Sequence, residues 1–177
     1  PDPFRTWAGA EQVPLEVVPP SDEPRYGPSF SRGMVPSLVL DRHSISRLFF
    51  DSFSLSAWKQ AGEARWALRV NPSSGNLHPT EAYLLAPPIE GVCEHPVVAH
   101  YAPREHCLEL RAQVPDELWS SLTLGLPAGS FFIALTSVHW REAWKYGERA
   151  YRYCQHDAGH GIAALAIAAG GMGWSVD

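Results

Sequence analysis

The chain has 177 residues, of which 45% are hydrophobic and 11% aromatic, with 14 Lys and Arg against 19 Asp and Glu for a formal charge of −5. That length holds one ordinary domain with a real core and has no room for a second full one. No Lys/Arg-rich run exists to displace counterions from a phosphate backbone, which argues against nucleic acid as a partner.

Residues 1–37 are crowded with prolines (Pro1, Pro3, Pro14, Pro19, Pro20, Pro24, Pro28 and Pro36) and read as an extended arm or linker with one short strand at 15–18. A globular texture runs over 38–177. Arg42-His43-Ser44-Ile45-Ser46-Arg47 opens an amphipathic stretch, and Ser54 and Ser56 offer caps for a helix through Trp58 to Gly62. Asn71-Pro72-Ser73-Ser74-Gly75-Asn76 is dense turn chemistry, followed by a buried strand at 82–86. Segments 97–101 and 107–111 read as a hairpin, 116–122 as a short helix opened by Pro115 and Asp116, and 131–138 as a strand. From Trp140 to Trp174 the pattern is one long helix, or two with a joint, whose second half is small and apolar all round. Several strand-to-strand steps are too short for crossover helices. The expected fold is therefore α+β, a mostly antiparallel sheet flanked by helices.

Cys93, Cys107 and Cys154 are an odd number without a Cys-x-x-Cys pair, so a disulfide framework or zinc ribbon is not expected and a reducing, cytoplasmic setting is. The apolar run 161–174 is too short to cross a bilayer, and no membrane is expected as a partner. The chain opens at Pro1 instead of Met and is read as a piece of something longer.

Four segments carry possible chemistry. Arg42, His43, Ser44 and Ser46 at a helix start suit a phosphate, and equally a plain capped terminus. Pro72, Ser73, Ser74, Gly75 and Asn76 form a tight loop with donors for a flat heteroaromatic edge, or merely a turn between elements. Lys145, one of two lysines, lies among Trp140, Trp144, Tyr146, Tyr151 and Tyr153, where desolvation and a neighbouring phenol suit general-base work; a surface helix with aromatic stems is the alternative. His156 and His160 stand at i and i+4, but no third ligand has metal-site spacing, so no metal site is assigned.

Together these segments resemble the flavin-dependent nitroreductase superfamily, above all its SagB-type dehydrogenase branch, relatives of the azoline oxidases. Arg42-His43-Ser44 resembles the Arg-x-Ser that grips the FMN phosphate. Pro72 through Tyr83 is similar to the branch's Pro-Ser-Gly-rich segment beside the flavin ring. Lys145-Tyr146-Gly147-Glu148-Arg149-Ala150-Tyr151-Arg152 through Asp157-x-Gly159-His160 resembles its long helix. Ser46 departs from the pattern, standing where many relatives carry a basic residue, and Arg47 follows it.

The resemblance implies a nitroreductase-like fold with its long helix at a dimer or tandem pseudo-dimer interface. It implies FMN as cofactor, held by Arg42, His43, Ser44, Ser46 and residues 72–76. It further implies Lys145 and Tyr146 as acid/base groups, and hydride transfer between FMN and a small-molecule or peptide substrate or NAD(P)H. A non-catalytic binding or scaffolding domain that has lost its flavin is the alternative, and a metal-dependent hydrolase using His156 and His160 a third reading.

Overall fold

The computed structural model describes Pro1–Asp177. In chain order its elements are β1 (Gln12–Pro14), α1 (Arg42–Phe53), β2 (Leu55–Ala61), β3 (Ala64–Arg69), β4 (Thr80–Ala86), β5 (Val97–Ala102), β6 (Cys107–Gln113), α2 (Asp116–Leu122), β7 (Phe132–Ser137), α3 (His139–Tyr146) and α4 (Ala150–Gly171). Five strands form one sheet in the order β1-β6-β5-β4-β7, and β2 pairs with β3 in a separate hairpin. Every pairing is antiparallel, as the short connections require. The α+β expectation holds. No helix is long and apolar enough to cross a membrane.

A reciprocal cap starts α1. The Asp41 carboxylate accepts from the Ser44 N–H at 2.8 Å, and the Ser44 hydroxyl accepts from the Asp41 N–H at 2.9 Å. Ile45, Leu48, Phe49 and Phe53 then recur at helical spacing and turn inward. Phe49 stacks on Tyr101 of β5, ring centroids 4.6 Å apart. Leu84, Ala99 and Leu108 of the sheet share one core with Leu165 and Ala168 of α4 and with Met172 just past its end. Each such large apolar side chain contributes about 1.5–3 kcal/mol by leaving water.

Helices α1 and α4 run antiparallel. Leu38, just before α1, donates its N–H to the Met172 carbonyl, whereas Phe53 at the far end of α1 lies against Gly161. The buried stripe of α4 is Ala150, Cys154, Asp157, Gly161, Leu165, Ala168 and Ala169, and its other face stays open, with Ile162 and Ile167 exposed.

Two local expectations change, and the long C-terminal helix takes its jointed form. The helix expected from Ser54 to Gly62 is strand β2: Ser54 instead closes α1, and Gly62, at φ +58, makes the tight turn into β3. A positive φ at a two-residue turn suits the twist of a hairpin, and cross-strand pairing overrides the modest helix propensity of Ala, Lys and Gln. The short strand in the arm lies at 12–14, not 15–18, and pairs with β6. The arm then turns inward at Glu16, whose N–H donates to Ser46 Oγ at 3.0 Å. The joint in the long C-terminal helix falls at Gly147 (φ 55, ψ −127).

A buried polar row crosses the sheet face away from α1 and α4. His100 of β5 is fully enclosed, with Nε2 2.9 Å from a Glu81 oxygen and Nδ1 2.8 Å from a Glu109 oxygen. Because both neighbours are carboxylate oxygens, both ring nitrogens must donate or one carboxyl must hold the proton instead. Arg141 caps the row, donating from Nη1 to Glu81 at 2.6 Å and to the His78 carbonyl at 2.7 Å. At the other end the Trp7 N–H of the arm donates to Glu109 at 3.1 Å. This row joins the arm, three strands and the loop before β4.

Candidate functional site

The loop between β3 and β4 is fixed from below by one carboxylate. Asp157 is 1% exposed and accepts from Ser73 Oγ at 2.7 Å, the Ser74 N–H at 3.0 Å and Ser74 Oγ at 3.1 Å. Charge-assisted bonds of this kind are about twice as strong as neutral ones. Ser73 Oγ also accepts from the His78 N–H at 2.8 Å, which closes the loop on itself. Asn76 donates to the Ala67 carbonyl and accepts from His78 Nε2 at 2.8 Å. Burial, reinforced by the Arg69 guanidinium, pushes the His78 imidazole down to about 3. It is neutral near pH 7.

Gly75 crowns the loop at φ +63, exposed. A Cβ there would collide with the Tyr146 hydroxyl and come within 3.0 Å of Lys145 Nζ. The two segments singled out from the sequence, 72–76 and 145–146, are therefore in contact. Lys145 Nζ lies 5.6 Å from the centre of the Tyr146 ring, which packs on Tyr153 at 4.5 Å. Lys145, Trp140, Trp144 and Tyr151 are exposed in the single chain, so no desolvation of the ammonium arises within it. Gly75→Ala is expected to cost about 1–2 kcal/mol for its left-handed backbone alone, with a further loss from the Tyr146 collision. Denaturant unfolding checks this: Gly75→Ala with Tyr146→Phe should lose less than Gly75→Ala alone, and an equal or larger loss would contradict the contact.

Arg42, His43, Ser44 and Ser46 lie at the opposite end of the helical layer. Arg42 donates to the Pro14 carbonyl and keeps a buried, unpartnered Nε. His43 pairs with Glu16 at 2.8 Å, Ser44 belongs to the cap with Asp41, and Ser46 donates to the Arg42 carbonyl at 2.7 Å. The rise of α4 from Asp157 to Met172 is about 22 Å, so these residues are not brought to the 72–76 loop within one chain. His156 and His160 are exposed on α4, and no three His, Cys, Asp or Glu groups are placed to hold a metal ion.

Two participants escape sequence reasoning, Glu142 and the Arg141–Glu81–His100–Glu109 row. Glu142 is fully buried, and neither carboxylate oxygen has a partner. Burial, then the Asp157 charge, raises it to about 7 against an opposing pull from Lys145. The native state therefore holds a proton that the unfolded chain releases, so stability falls as pH rises from about 4.5 through about 7. The available signal was weak: Glu142 precedes Lys145 by one helical turn, on the side that Arg141 also uses.

No family model matches the sequence, and no curated protein matches it. Among solved structures, a protein from Anabaena variabilis named as a nitroreductase superposes with a TM-score of 0.70 at 25% identity, over 96% of this chain and 33% of that one. A chain of the E. coli microcin synthetase McbBCD complex, solved with truncated pro-MccB17 bound, gives 0.58 at 25% identity over 87% of this chain and 59% of that one. A protein from Ralstonia eutropha, also named as a nitroreductase, gives 0.61 at 13% identity over 94% and 75%, a likeness of fold alone. The chain thus spans about a third of the Anabaena protein and little over half of the microcin synthetase chain. It has the nitroreductase fold.

Proposed function

We propose that the chain is one unit of an FMN-dependent oxidoreductase of the SagB-type branch, moving hydride between the flavin and a small-molecule or peptide substrate or NAD(P)H. The observation that carries this is the meeting of Gly75 with Lys145 and Tyr146 above the Asp157 clamp, on a nitroreductase fold. The residues fit the cofactor in two separate halves. Gly75 supplies a side-chain-free surface where a planar ring can approach backbone, and Arg42 Nε is an orphaned buried donor that a phosphate oxygen would satisfy.

With those halves at opposite ends of the helical layer, the loop of one unit and Arg42 of another form each complete site. The open face of α4, with Ile162 and Ile167 exposed, is the surface for that second unit, a second copy of this chain or a tandem relative. When bound, FMN supplies the hydride acceptor. Once a partner unit covers Lys145 and strips its water, Nζ would be held as the neutral amine that can take the substrate proton, and the Tyr146 hydroxyl beside it would orient the substrate. The partner unit covers Trp140 and Trp144 and excludes water.

The engaged side chains of Ser73, Ser74 and Asn76 favour one other reading, a binding domain that has kept the fold without the flavin. Cofactor released by heat from the full-length protein decides between them. Comigration with FMN is expected; FAD, or no flavin at all, would overturn the proposal.

A further inference from the structure

We propose that Glu142 is a positioning residue of this site: by taking up or releasing a proton inside the α3–α4 packing, its carboxyl sets how firmly Asp157 holds the Ser73–Ser74 loop and where Lys145 lies. The proposal rests on the functional reading only in treating Lys145 as the working group.

The geometry is that of a buried group without a structural job. Glu142 is 0% exposed, and both of its oxygens lack partners, whereas native proteins pair nearly all such atoms. Its neighbours are the working parts of the site. Asp157 and Cys154, buried on the inner stripe of α4, lie within electrostatic reach of it, and Lys145 lies one turn along α3. Cys154 has its thiol raised by burial first and then by Glu142 and Asp157, so it stays protonated near pH 7 and adds no charge. Two carboxylates and one ammonium are therefore left to interact.

Their interaction has a definite sign. As a carboxylate, Asp157 accepts from Ser73 Oγ, the Ser74 N–H and Ser74 Oγ together, with no donor of its own to compete. A neutral Glu142 leaves that carboxylate undisturbed. Loss of the Glu142 proton places a second negative charge beside Asp157 with little water to screen it, which weakens the clamp and draws in the Lys145 ammonium. Burial first and then Asp157 raise Glu142 while Lys145 lowers it, and the balance falls at about 7. Any change that covers Lys145 or alters the charge beside it shifts Glu142 by the same coupling. The step is a protonation alone, with the proton exchanged with solvent.

The scarcity of lysine makes this measurable without substrate or flavin. Lys59 and Lys145 are the only two lysines, so reductive methylation with ¹³C gives two side-chain resonances, assigned with Lys145→Arg. The label keeps the amine basic. In the wild-type protein the Lys145 resonance is expected to pass through one inflection between roughly pH 6 and 8, with Lys59 flat. Glu142→Gln, nearly isosteric and unable to ionise, should abolish that inflection, and Glu142→Asp should restore one. If Glu142→Gln fails to fold, Glu142→Met fills the same space without a carboxyl and should give the same loss. An inflection that survives removal of the carboxyl, or a flat Lys145 resonance in the wild type, overturns the proposal. Because the readout involves no flavin, such a failure leaves the FMN reading to stand or fall on its own test.

Discussion

Turnover of the flavin-loaded protein should fall by about 10²–10⁴-fold when Lys145 is replaced by alanine, with FMN content unchanged. The size is that of a lost general base, because Lys145→Ala removes a proton acceptor and little packing: the side chain is exposed in the single chain. Tyr146→Phe should show a smaller loss of the same kind, since it removes the hydroxyl and keeps the ring against Tyr153. Steady-state kinetics on any substrate the protein oxidises, normalised to bound flavin, make the comparison. A merely structural Lys145 would leave turnover unchanged, and that outcome would end its catalytic assignment.

The largest expected loss of stability lies elsewhere, at His100. Replacing it by alanine leaves Glu81 and Glu109 facing each other in a space closed to water, and breaking a buried pair from one side costs about 3–5 kcal/mol. Glu81 keeps Arg141, but Glu109 keeps only the Trp7 N–H and one unmatched oxygen. Thermal unfolding should register a fall of roughly 10 °C, at 2–4 °C per kcal/mol for a chain of this size. A fall of only one or two degrees would mean that the row adjusts at little cost and does not hold the arm to the sheet.

Much of the fold was legible because short-range rules decided it. The stripe from Ile45 to Phe53 read as an amphipathic segment because nothing outside α1 competes with its spacing. The 107–111 strand follows the 97–101 strand too closely for a crossover, which forces an antiparallel pair. β2 was misread because Ser54 is equally good as the end of one helix and the start of another. Only the turn at Gly62 and the partner strand settle the matter.

The site was legible in part for the same reason. Residues 72–76 and 145–146 stand out as turn chemistry and as a lone lysine among aromatics, but their contact depends on the joint at Gly147 and the placing of α4. The buried row was illegible. Glu81, His100 and Glu109 alternate with apolar neighbours, which in a sequence reads as one wet face of a sheet. The arm and Arg141 are what close that face to water. Glu142 was hidden likewise, because burial of one side of α3 is a property of its packing and not of its spacing.

The central claim, that a flavin ring lies against Gly75, Lys145 and Tyr146, is tested most directly with the two ¹³C-methylated lysines. Adding FMN to the protein should shift the Lys145 resonance, identified by its loss in Lys145→Arg, through the ring current of the bound flavin and leave Lys59, on the β2–β3 hairpin, unmoved. An unmoved Lys145 in protein shown to hold FMN would place the flavin elsewhere and contradict the account.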